Sequence, residues 1–108
     1  GAEDATMEEE IPGYGLIGQI FAVPGRRDEL AAILARIDGA MPGNFAYLVS
    51  EDSSSDNGLW VVEYWTDAAA HRASLALPAV QAAIAEGRPL IAGVGARHEV
   101  RPLPRRAA

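Results

Sequence analysis

No cysteine and no lysine occur anywhere in the chain. The first absence removes disulfides, thiolate nucleophiles and cysteine metal sites. The second removes a Schiff-base lysine and a Walker-type phosphate loop. All 9 basic residues are arginine, against 15 acidic ones, for a net charge of −6. Nucleic-acid binding draws most of its affinity from phosphate contacts, so an acidic chain without a basic patch is not expected to bind DNA or RNA. Arg105-Arg106 is too short a run to change that. No apolar stretch approaches the roughly 20 residues that cross a bilayer, and the acidic start is the reverse of a secretory leader. The expectation is a cytoplasmic protein with neither nucleic acid nor membrane as partner.

Aromatic residues are sparse too, at 6%, yet both tryptophans fall in one stretch, Gly58–Gln81. Leu59–Trp65 reads as a strand that turns at Thr66-Asp67 into a short helix carrying His71. Nearly every strand position is apolar or aromatic. Leu59, Val61, Glu63 and Trp65 share one face, and Trp60, Val62 and Tyr64 share the other. Both faces therefore call for cover. A small domain has helices for one face of its sheet, so a second copy of the chain is expected on the other, with Trp60 and Tyr64 at the interface.

The rest of the chain frames this stretch. A hydrophobic content of 49% over 108 residues suits one globular domain. Residues 1–12 read as a flexible acidic tail, 13–102 as a single domain and 103–108 as a C-terminal tail. Tyr14–Val23 is a strand between Pro12-Gly13 and Pro24-Gly25, with Gly18 a place of close backbone approach. Arg26–Ala40 is a helix with Leu30, Ile33, Leu34 and Ile37 at helical spacing, read as scaffold. Asn44–Glu51 is a strand, Glu51–Gly58 a polar hairpin loop, Ala79–Glu86 a helix opened by Pro78, and Ile91–Val100 the last strand. The order β-α-β-β-α-β predicts an α+β, ferredoxin-like sandwich: a four-stranded antiparallel sheet with helices on one face. Two copies would pair by two-fold symmetry.

The run Glu63-Tyr64-Trp65, then His71, then Pro78 and Gln81, resembles the E-x-W … H … P-x-x-Q signature of the antibiotic biosynthesis monooxygenase (ABM) family. Pro42-Gly43 with Tyr47, and Val23-Pro24-Gly25, resemble two further motifs of that family. The resemblance spans about Tyr14–Val100. It implies a dimeric ferredoxin-like α/β barrel and oxidation of a phenol to a quinone by oxygen, with no flavin, haem or metal as cofactor. It also implies a pocket between sheet and helices. The catalytic residues there would be His71, Trp65 and Tyr47, with Glu63, Val61, Val49, Leu75 and Gln81 contacting substrate. The partners would be a small aromatic molecule, oxygen and a second subunit.

The chain departs from the family pattern at three positions. Val61 stands where quinone-forming relatives carry an amide, and Leu77 and Ala79 replace the serine and histidine of an S-P-H run. The later helix has no histidine to ligate haem, so haem degradation is not expected. Two alternatives stay open: a non-catalytic ligand-binding or regulatory domain, and an isomerase of a small metabolite. A cavity holding His71 and Tyr47 would favour an enzyme; one filled by Trp65 and Leu75 would not.

His71 is the candidate acid/base group. Glu63, a carboxylate among buried residues, is expected to pair with an arginine, Arg72 or Arg97. If left unpaired, burial would raise its pKa and make it a candidate base. Trp65 is read as a pocket wall or a core residue, and His98 as exposed. Neither the histidines nor the acidic clusters have metal-site spacing.

Overall fold

The computed structural model describes residues 10–37 and 41–104. The elements are β1 (Tyr14–Ala22), α1 (Arg27–Ala35), β2 (Asn44–Glu51), β3 (Gly58–Trp65), α2 (Ala68–Ser74), α3 (Pro78–Gly87), a 3₁₀ turn (Arg88–Leu90) and β4 (Ile91–Val100). The sheet is four-stranded and antiparallel, in the order β2-β3-β1-β4. This is the expected ferredoxin-like α+β fold. The strand carrying Glu63 and Trp65 is interior, and β4 is an edge. Among the described residues, no helix is long and apolar enough to cross a membrane.

The reading and the structure differ at the ends of elements. β1 stops at Ala22 because Val23 N donates to Leu90 O at 2.8 Å. α1 stops at Ala35, since Arg36 N and Ile37 N reach back only three residues, to Ile33 O and Leu34 O. Such bonds tighten the last turn. Most of the expected acidic tail, the last residues assigned to the helix (38–40) and residues 105–108 lie outside the described residues.

Leu30 and Ile33 of α1, Val80 and Ala83 of α3, and Leu59 and Trp65 of β3 form the buried core. These helices cover the Leu59–Trp65 face of the sheet. The opposite face carries Val62 and Tyr64, half-buried, and Leu48, which is 60% exposed.

One turn fixes the end of the central strand. Gly43 has φ +81°, and a Cβ there would collide with Thr66 and Ala70. The Pro42-Gly43 pair therefore lets β2 begin against the β3–α2 corner. Thr66 N and Oγ1 both donate to Gly43 O, at 2.8 and 3.1 Å, and Gly13 N donates to Trp65 O at 2.9 Å. The corner after Trp65 is pinned from two sides.

Candidate active site

Asp67 opens α2 as its N-cap, with Oδ1 accepting from Ala70 N at 2.8 Å. This satisfies one of the helix's orphan donors and sets His71 one turn in, facing the sheet. The imidazole lies between Trp65, at 5.7 Å and 64° between planes, and Tyr14, at 5.8 Å and 31°. His71 Nε2 stands 3.9 Å from Glu63 Oε1, and the two side chains are only 14% and 15% exposed. Trp65 Nε1 donates to that same Glu63 oxygen at 3.2 Å. Glu63 is thus engaged by His71 and Trp65 rather than by an arginine. Arg72 is exposed on α2, and Arg97 acts on Glu63 only through its field.

Burial raises the Glu63 carboxyl above its ordinary 4.5, against the opposing pull of His71, the Trp65 bond and Arg97. Tyr47, directly across the β2–β3 pair from Glu63, is pushed well above its ordinary 10.0 by burial and then by the Glu63 charge. Tyr47 therefore stays a neutral phenol that can donate a hydrogen bond. Tyr14 Oη donates to Glu99 Oε2 at 2.8 Å.

A cavity of about 300 Å³ lies between sheet and helices. Tyr47, Val61, Glu63, Trp65, His71 and Leu75 line it, so six of the eight residues singled out in the sequence come together. Val49 and Gln81 do not. Val49 packs against the core cluster. Gln81 is exposed, because α3 turns Val80, Ala83 and Gly87 inward. Trp65 and Leu75 bound the cavity without filling it.

Other lining residues escaped the sequence reading. Leu34 of α1 and Ile37, just past its end, form part of the wall, so that helix is more than scaffold. Ser74 also lines the cavity; it is buried and its Oγ donates to His71 O at 2.6 Å, leaving its lone pairs as acceptors. Gly18 and Arg97 lie on the cavity's sheet side. No backbone approaches Gly18; a Cβ there would meet nothing within 4 Å. A serine in an alanine-rich helix and an arginine on an edge strand carry no pattern that marks them in sequence.

The chemical capacity follows from this division. The walls are apolar, and the polar groups are an imidazole beside a carboxylate, a phenol that donates and a serine oxygen that accepts. Such a site can hold an aromatic hydroxyl and take its proton.

Residues 13–86 match the family model described as antibiotic biosynthesis monooxygenase. A solved structure from Chloroflexus aurantiacus, described as a "putative antibiotic biosynthesis monooxygenase", is 46% identical, covers 87% of this chain and 96% of its own, and superposes with a TM-score of 0.82. A Caulobacter crescentus structure with the same description is 16% identical over 87% of this chain and 92% of its own, with a TM-score of 0.77. The Pseudomonas aeruginosa protein PA3566 is 21% identical over 90% and 100%, with a TM-score of 0.75. At these lower identities the likeness is one of fold. No protein of curated function matches. By its family match and its likeness to the Chloroflexus protein, the chain belongs to the antibiotic biosynthesis monooxygenase family.

Proposed function

We propose that the protein is a monooxygenase that oxidises an aromatic phenol to a quinone with oxygen, without a cofactor. The observation that carries this reading is the His71–Glu63 pair at the border of an otherwise apolar cavity walled by Trp65. His71 takes the phenol proton, Glu63 stabilises the imidazolium that forms, and Tyr47 donates a hydrogen bond to the phenolate. At 3.9 Å the His71–Glu63 contact is an ion-pair distance; catalytic contacts of this kind shorten when substrate binds. The electron-rich phenolate then passes an electron to oxygen. One oxygen atom becomes the new carbonyl; the other leaves as water with the ring hydrogen and the phenol proton. The apolar walls keep bulk water from the reactive intermediate.

The protein is proposed to act as a homodimer in the cytoplasm, with the second subunit covering the sheet face of Leu48, Val62 and Tyr64. An apolar sheet face of this kind is where a symmetric partner gains most from burial. Two departures from the family pattern are compatible with activity, because Tyr47 and Ser74 supply polar contacts that Val61 and Ala79 do not.

The test is oxygen consumption with anthrone- and naphthol-type phenols in the presence of a chelator. His71→Ala is expected to lower the rate by a factor of about 100 or more, the scale of general-base catalysis. A wild-type rate equal to that of buffer, with the phenols bound, refutes the reading and leaves a ligand-binding domain.

A further inference from the structure

Gly18 lies in β1, an interior strand, where glycine weakens the sheet. The fold gives no reason for it. Only Gly25 and Gly43 among the described glycines have positive φ. A register shift follows Gly18 in the β1–β4 pairing, but a bulge that needs glycine needs the left-handed conformation, which Gly18 does not adopt. Gly15, the other glycine of β1, does have a steric reason, and Gly93, which has none, lies on the edge strand β4. A Cβ at Gly15 would strike the Tyr64 ring and Val100, whereas one at Gly18 would enter open space. That space is the cavity.

The residues beside Gly18 give the gap a shape. In register it stands between Val61 of β3 and Arg97 of β4. Two strand spacings make this trough about 10 Å wide. One wall is an aliphatic side chain and the other a guanidinium. Among the described residues, Arg97 has no carboxylate within ion-pair distance, although it lines the cavity. Glu99 lies two residues along β4, and its carboxylate accepts the Tyr14 hydroxyl. Glu63 lies two residues along β3 from Val61, about 7 Å further on.

From this placement we propose that the cavity is a seat for a fused two-ring aromatic carboxylate bearing a hydroxyl. The rings lie flat over Gly18, the carboxylate meets Arg97, and the hydroxyl reaches His71 and Tyr47. Gly18 is then a specificity-determining residue, since its missing side chain is the thickness of the ring. The volume agrees. A cavity of ~150 Å³ holds a single benzene ring, and this one has about 300 Å³. Arg97 selects the acid because a guanidinium binds carboxylate in a bidentate fork. A carboxylate set on the opposite ring from the hydroxyl also keeps its charge away from Glu63.

This inference rests on the phenol-binding reading of the site, and its test is read without turnover. Calorimetric titrations compare 6-hydroxy-2-naphthoate with 2-naphthol, on wild type, Arg97→Gln, Gly18→Ala and Gly18→Val. Wild type is expected to bind the naphthoate about tenfold or more tighter than the naphthol, and Arg97→Gln to bring that ratio close to one. Gly18→Val is expected to weaken both by about 30-fold or more, and Gly18→Ala by less, while Gly18→Ala melts no lower than wild type. Equal wild-type affinities, no naphthoate binding, or a preference that survives Arg97→Gln overturns the inference. So does a valine variant that melts as a folded protein and binds like wild type. Tight naphthoate binding without oxygen uptake counts against the monooxygenase alone, and uptake with naphthols but no preference for the acid counts against this inference alone.

Discussion

Trp65→Phe separates two roles of the tryptophan, as packing and as hydrogen-bond donor. The indole is 1% exposed, and its Nε1 donates to Glu63 Oε1 at 3.2 Å. Removing the fused ring leaves a void of a few tens of Å³, which at about 24 cal/mol per Å³ costs about 1 kcal/mol. The lost hydrogen bond to a carboxylate is worth about 1.5 kcal/mol, the lower end of its range, because the contact is long and the cavity can rehydrate the carboxylate. The sum is about 2.5 kcal/mol, which in a domain of this size lowers Tm by roughly 10 °C. Thermal melts of wild type, Trp65→Phe, Glu63→Leu and the double variant form a cycle whose shared interaction is the hydrogen bond, since leucine offers no acceptor. A coupling of about 1 kcal/mol between the two sites is expected at neutral pH. If Trp65→Phe melts within about 2 °C of wild type, or the cycle shows additivity, Trp65 does not hold Glu63.

The Glu63 carboxyl is raised in the folded state, so the folded protein binds its proton more tightly than the unfolded chain does. Its contribution is fully present below the ordinary value of 4.5 and is lost as pH rises through the higher folded value; Glu63→Gln should flatten this fall in melts taken across that window. Tyr47→Phe should weaken phenol binding by about tenfold without shifting the pH–rate profile, because the phenol does not titrate in the working range. Asp67→Ala removes the N-cap bond to Ala70 and should cost about 1 kcal/mol in a denaturation experiment. It should also lower turnover by loosening the helix that carries His71. Full activity in that variant would show that His71 is positioned by its ring contacts alone.

Strands were legible because alternation, turn residues and β-branched runs coincide; β2 and β4 begin and end where the pattern placed them. The meeting of Trp65 with His71 is implied by the family resemblance, and the fold brings it about locally, through a strand, a tight corner and one helical turn. What was not legible depends on contacts remote in sequence. A buried glutamate most commonly pairs with an arginine, whereas the fold brings an imidazole and an indole to the same Glu63 oxygen. The family motif places Gln81 in the site, but the phase of α3, set by Val80, Ala83 and Gly87 packing inward, turns it out. A glycine inside a strand suggests close approach, and the open environment of Gly18 emerges only when β3, β4 and the helices stand around it. Arg97 lies on an edge strand whose register, shifted beside Gly18, no local pattern encodes.

Cofactor-free oxygen transfer is tested most directly by oxidation under heavy-isotope oxygen gas, using chelator-treated protein with no added cofactor. Mass spectrometry of the product then follows, beside the His71→Ala variant. One labelled oxygen atom is expected in the new carbonyl of the quinone, with a product yield that collapses in the variant. An unlabelled quinone, or labelled product formed equally fast by His71→Ala, would contradict it.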